Sequence, residues 1–289
     1  VAGRSEFVEA AVECVEDKMT ARSKLVVDGH VHVYENYDLD MFFQSAVTNM
    51  EKFLEPPQHD EQEVHKILLF TEGRENDFFA RFKNGENLFK NSNFKFQKTK
   101  EEPSLILADN GKPLCYILRG RQIVTKENLE VLAVASGQHI PDGLPVQDVV
   151  EKIIDQKEVA VLAWGVGKWF FKRGEIIKKI ISEMKSPYLF IGDNSARPGF
   201  WPLPKLFKQA KKSNMFFING SDPLPFEGEV EKVGSYGFTI AGEFDPAEPG
   251  KSFRDTLLAN PESIRFFGSR DSTISFFKRQ FKMFLKKYI

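Results

Sequence analysis

Asp28, His30 and His32 stand two residues apart at the end of the apolar run Leu25-Val26-Val27. In an extended strand, side chains two apart project from the same face. These three would therefore line one side of a buried strand near its C-terminal end. Two imidazoles and a carboxylate so arranged can form half of a metal site. The remainder must come from distant sequence, and the first candidate is Asp222, in Gly220-Ser221-Asp222-Pro223 after the apolar run at 215–219. Asp before Pro also commonly starts a turn, so a capping role competes with ligation there.

Further candidates follow other apolar runs. In a β/α barrel the site is built at the C-terminal strand ends, so polar residues at those ends converge on one mouth. Glu72 follows the run at 66–70, His139 follows 129–135, Trp164 follows 159–163, and Asp193-Asn194 close 188–192. Each has a plainer reading: a solvated helix start for Glu72, a solvated loop for His139, and a turn or N-cap pair for Asp193-Asn194. Lys168, Arg173 and Arg197, on loops after strands, could hold an anionic substrate. His59 and His65 lie in a hydrophilic stretch and receive no role. Gly165-Val166-Gly167-Lys168 lacks the leading glycine and the Ser/Thr of a phosphate loop. No Gly-x-Ser-x-Gly elbow is present, and Cys14 and Cys115 sit in apolar settings that suit packing.

The elements that must hold these residues are legible as periodicity. Apolar positions Phe7, Val8, Ala11, Val12 and Val15 predict an N-terminal helix over 5–19. Strands are expected at 24–34 and 66–71, with a helix over 39–54 between them, stopped by Pro56-Pro57. Asp109-Asn110-Gly111 between two apolar runs signals a hairpin, so 93–124 reads as an antiparallel meander. Strands at 129–135, 159–164, 188–192 and 215–219 then alternate with helices over 146–155, 174–184 and 204–212, a pattern of parallel strands with crossover helices. The extension at 226–289 has expected strands at 229–232, 236–241 and 264–267, a helix over 252–259, and a basic helix over 272–288. That last helix reads as an amphipathic docking element with one solvated face.

Composition sets outer bounds. The 289 residues are 42% hydrophobic with formal net charge -1, enough for one large α/β domain or two smaller ones and too neutral for a general nucleic-acid binder. No stretch approaches 18 apolar residues, so no membrane span is expected. Two cysteines outside any paired motif make a reducing cytoplasm the default expectation. Exposed aromatics and the meander suggest a homo-oligomer interface.

With these residues in view, the chain resembles the polymerase and histidinol phosphatase (PHP) superfamily. The family's opening Asp-x-His-x-His strand is matched by Asp28, His30 and His32, and its closing Ser-Asp-x-His by Ser221 and Asp222. The resemblance runs through roughly 24–225 in order and alternation. It implies an α/β fold: a distorted TIM-like (β/α)7 barrel with an inserted antiparallel meander and a C-terminal helix, in one domain over 24–289 against which residues 1–23 pack. It also implies a metal cluster, but here Leu224 stands where the closing histidine belongs. Trp164 replaces the histidine of the family's Ala-His-Pro, and Gln122 stands where a bridging glutamate belongs. What remains is one divalent ion, zinc, manganese or iron, on His30, His32 and Asp222. The expected function is a metal-dependent hydrolase, a phosphoesterase, acting on a small anionic or sugar-like molecule. Asp222 or Asp193 takes the proton, and His139, Trp164, Lys168, Arg197, Gln122 and Glu72 line the substrate. The competing reading is a catalytically degenerate, metal-free relative that binds a ligand or protein, with Trp164, Trp169, Phe200 and Trp201 forming an aromatic mouth.

Overall fold

The computed structural model describes residues 23–54 and 63–288. The helix expected over 5–19 lies outside them. The chain runs β1 (Ser23–Val31), α1 (Leu39–Glu51), β2 (Val64–Phe70), α2 (Phe78–Lys83), β3 (Phe94–Lys98), β4 (Ser104–Asp109), β5 (Lys112–Leu118), β6 (Arg121–Val124) and β7 (Glu130–Val134). It continues with α3 (Val146–Ile154), β8 (Val159–Ala163), α4 (Phe171–Glu183), β9 (Leu189–Asn194), α5 (Lys205–Lys212), β10 (Phe217–Gly220), β11 (Tyr236–Gly242), α6 (Pro249–Ala259), β12 (Arg265–Gly268) and α7 (Thr273–Tyr288).

These strands form two mixed sheets. The first has seven strands in the order β12-β11-β1-β2-β5-β4-β3, and the second has five in the order β10-β9-β8-β7-β6. Neither closes, which corrects the (β/α)7 barrel expected from sequence. Parallel pairing with a crossover helix holds for β1–β2 and for β8–β9–β10. β2 and β5 are also parallel, joined through α2, β3 and β4, but the other pairs reverse: β6 is antiparallel to β7, β7 to β8, β11 to β1 and β12, and β4 to β3 and β5. Periodicity reports whether a segment is a strand but not which way it runs against its neighbour. The expected strand at 229–232 is instead part of a 3-10 turn, Glu227–Lys232.

The sheets are packed in three apolar layers. One face of the first sheet is covered by α1 and α2, where Phe42, Phe43, Phe70 and Phe79 are fully buried. Each such ring stabilises the fold by roughly 1.5–3 kcal/mol through area removed from water. Phe43 meets Phe82, Phe89 and Phe96 edge-on at 5.5–5.8 Å, the geometry aromatic quadrupoles favour. A middle layer between the sheets holds Val27, Leu69, Val161, Phe190 and Phe238, with Phe253 and Leu257 of α6. The outer face of the second sheet is covered by α3, α4 and α5. α1 starts where Asp38 accepts the amide of Met41 at 3.0 Å.

Two close approaches join the sheets. At Gly120, between β5 and β6, the chain passes from the first sheet to the second. A Cβ there would lie 2.5 Å from the carbonyl oxygen of Phe70 and 2.6 Å from that of Ala133. At the opposite seam β1 lies against β10, and a Cβ on Gly220 would come within 2.2 Å of the His30 amide nitrogen. No ladder forms at this seam. The amide of Ser221 donates to Asp28 Oδ1 at 2.8 Å, and that of Asp222 to the His30 carbonyl at 2.9 Å. α7 docks through Phe276 and buried Arg279, while Ile274, Phe277 and Phe281 are exposed. No helix among the described residues is long and apolar enough to cross a membrane.

Candidate metal centre

The β1–β10 seam brings the two ends of the sequence motif together. His30 Nε2 and His32 Nε2 are 3.0 Å apart, and they lie 3.6 Å and 3.5 Å from Asp222 Oδ1. A tetrahedral ion with bonds of 2.0–2.1 Å sets its donors about 3.3 Å apart, so this triangle has the size of one face of a coordination shell. The buried His30-His32-Asp222 group could hold a metal ion. Gln122 adds a carbonyl oxygen 3.2 Å from His30 Nε2.

Electrostatics favour the ligating forms. Burial, reinforced by the neighbouring His30, pushes the His32 imidazole down to about 4, leaving its lone pair free at neutral pH. Burial acts to raise Asp222, but the two imidazoles, Arg279 and Lys168 outweigh it and hold the carboxyl below the usual carboxylate range. Asp222 adopts φ 47, a left-handed conformation that Asp tolerates better than most residues. It is braced on both sides. Asn194 donates Nδ2 to Asp222 Oδ2 at 2.7 Å and to the Trp164 carbonyl at 3.0 Å. Arg279 donates Nη2 to the Asp222 carbonyl at 2.9 Å while pairing with Glu229 at 2.8 Å and Asp271 at 2.7 Å.

Asp28 has a different job from the one its spacing suggests. Its Oδ1 accepts the amides of Ser221 and His30, and its Oδ2 accepts that of Gly234. It holds the strand ends in register and is not one of the ligating group. Burial raises its carboxyl to about 6 against the pull of these donors.

Of the other expected site residues, the structure gathers Gln122 and Lys168 and separates the rest. Lys168 pairs with Glu130, and its charge acts on both His32 and Asp222. Asp193, expected to be catalytic, points to the opposite face of β9. There Arg197, expected to hold substrate, grips both its oxygens through Nε and Nη2. Trp164 is buried in the outer core beside Trp201, and Trp169 is buried in the same layer with its Nε1 donating to the Ala163 carbonyl. The aromatic mouth is therefore not built from them. His139 is exposed in the loop after β7. Because β7 runs antiparallel to β8, its C-terminal end lies away from the site. Its first residue, Glu130, is registered with Ala163 at the C-terminal end of β8. Glu130 was missed because it opens a strand; only strand direction could have flagged it. Tyr34, two residues beyond His32, was also missed, and its ring lies 5.8 Å from the His32 ring. The same-face spacing that marks the histidines extends to it.

Glu72 caps α2: Oε1 accepts the Phe78 amide at 2.6 Å and both oxygens approach that of Phe79. Burial pushes its carboxyl from 4.5 up to about 7. A folded-state pKa raised in this way favours the protonated fold. The stability it contributes is full below about 4.5 and is lost as pH rises through about 7. Glu72→Gln is expected to remove that loss, gaining about 3 kcal/mol on the wild type between pH 4 and 8. Urea unfolding across this range checks it, and parallel pH profiles for the two proteins would refute it.

The fold and site together define a two-sheet α/β protein with a buried His-His-Asp group at a seam between sheets. No family model and no curated protein matches the sequence. Among solved structures, PsfC from Pseudomonas syringae PB-5123 is similar, with 12% identity and a TM-score of 0.53 over 93% of this chain and 99% of that one. That likeness is one of fold alone. Endonuclease Q, in complex with a 27-mer duplex substrate bearing an abasic lesion at the active site, aligns at 9% identity with a TM-score of 0.42, over 82% of this chain and 57% of that longer one. A likeness that low supports nothing about this chain.

Proposed function

We propose that this chain is a single-ion metal-dependent hydrolase of phosphoesters, a divergent relative of the PHP superfamily. The observation that carries the reading is the triangle of His30 Nε2, His32 Nε2 and Asp222 Oδ1, with sides of 3.0, 3.5 and 3.6 Å, assembled from residues about 190 positions apart in sequence. With three ligand residues, zinc is the ion best matched, because catalytic zinc uses three protein donors and one open position.

His30, His32 and Asp222 hold the ion, whose chemistry is to lower the pKa of water and polarise a phosphoryl oxygen. Asn194 and Arg279 keep Asp222 aimed at the imidazoles. Lys168 binds an anionic oxygen of the ester, a role suited to an ammonium held at the site by Glu130. Glu130, a half-buried carboxylate beside Gln122 and Lys168, accepts the proton.

Elemental analysis of the purified protein, together with a panel of phosphoesters before and after chelation, tests the reading. The expected result is about one zinc, manganese or iron per chain and hydrolysis that chelation abolishes and metal restores. Metal-free protein that takes up no zinc on dialysis and hydrolyses no ester would overturn it. That outcome would leave the ligand-binding relative, which the losses at Gln122, Trp164 and Leu224 also suit.

A further inference from the structure

On the far side of β9 from the metal centre lies a second polar pocket. Consecutive strand residues face opposite sides. Asn194 turns its amide to Asp222, and Asp193 lines a cavity of about 500 Å³ between β10, α5 and the antiparallel β11–β12 pair. Arg197 also lines it. This side chain is only 5% exposed, with Nε and Nη2 on Asp193, and its Nη1 has no protein partner. The Tyr236 hydroxyl lies 3.4 Å from Asp193 Oδ2.

Two more cations reach the same cavity. Lys211 places Nζ 5.6 Å from the centroid of the Phe217 ring, and Arg270 has only a 3.5 Å approach to the Gly199 carbonyl. Neither has a carboxylate partner among the described residues. Asp193 is neutralised by Arg197, so the cavity carries two uncompensated positive charges. Phe207, Phe217 and Phe266 supply apolar walls. A guanidinium fork, an ammonium and aromatic walls together suit an oxyanion carried on a flat apolar body.

We propose that this cavity is a binding site for a small organic anion, held by Arg270, Lys211 and the buried Arg197 and separate from the metal centre. The proposal does not rest on the hydrolase reading, because the pocket shares no side chain with His30, His32 or Asp222. The test is isothermal titration of chelator-treated, metal-free protein with phenyl phosphate. One saturable site per chain is expected. Affinity should fall at least about tenfold in Arg270→Ala/Lys211→Ala, since each lost charge-assisted hydrogen bond is worth about that much or more. It should be unchanged in His30→Ala/His32→Ala. Lys211 is exposed and Arg270 half-buried, so the first variant keeps its fold, which circular dichroism verifies. No saturable binding to the wild type, equal affinity in the Arg270→Ala/Lys211→Ala variant, or binding that disappears with the two histidines would each overturn the proposal.

Discussion

Replacing His30 and His32 together by alanine is expected to abolish metal uptake and to lower metal-dependent hydrolysis at least about a thousandfold. Loss of a residue that merely orients a ligand costs 10–100-fold, and here two of three donors are removed. Metal should also stabilise the wild type and not the variant. An ion present at 100 times its dissociation constant adds about 2.7 kcal/mol to a fold that alone can bind it. Thermal melts with and without added zinc read this directly. A variant that still melts higher with zinc, with one ion bound, would show that the ion sits elsewhere.

Arg279→Met carries the second large effect, on a residue that touches no proposed substrate. Its guanidinium, 4% exposed, joins Asp271, Glu229 and the carbonyl of Asp222. Removing it leaves two buried carboxylates with Lys232 as their one cationic partner among the described residues, at 2.6 Å from Asp271 and 4.0 Å from Glu229. Deleting one partner of a buried ion pair costs about 3–5 kcal/mol, because the remaining charge is left uncompensated. The sign with pH follows from Asp271. Burial tends to raise this carboxyl, but Arg279 and Lys232 hold it below its ordinary 3.8. A depressed folded-state pKa contributes stability above the unfolded pKa, and that contribution is lost as pH falls through the folded value. Without Arg279 the carboxyl titrates higher, so acid unfolding should begin at higher pH in the variant. Zinc affinity should fall about 10–100-fold as Asp222 loses its brace. Arg279→Lys restores the charge but not the fork, so it should recover stability more than metal affinity. Unchanged affinity in Arg279→Met would show that Asn194 alone positions the ligand.

What the amino-acid sequence carries by itself is local. The helix at Leu39–Glu51 follows from apolar spacing, and the turn between β4 and β5 from Asn110-Gly111, which take φ 47 and φ 81 as a two-residue hairpin requires. The two histidines share a face because alternation along a strand is a property of the backbone itself. Asp28 stands two residues before His30, yet β1 loses its regular register between Asp28 and Val31, and the carboxylate accepts the backbone amides of Ser221 and Gly234, which spacing cannot express.

Direction and adjacency belonged to the tertiary structure. The reversal of β7 carries His139 away from the seam and Glu130 to it; the opposite faces of β9 send Asn194 to Asp222 and Asp193 to Arg197. The polypeptide alone determined most of the strands and helices, though not α2 or the 3-10 turn at Glu227–Lys232, and placed two imidazoles side by side, because those patterns depend on neighbours a few bonds away. Whether Asp222 meets those imidazoles was decided only when Gly220 allowed β10 to lie against β1, because that contact joins residues nearly two hundred positions apart and is selected by packing rather than by local preference.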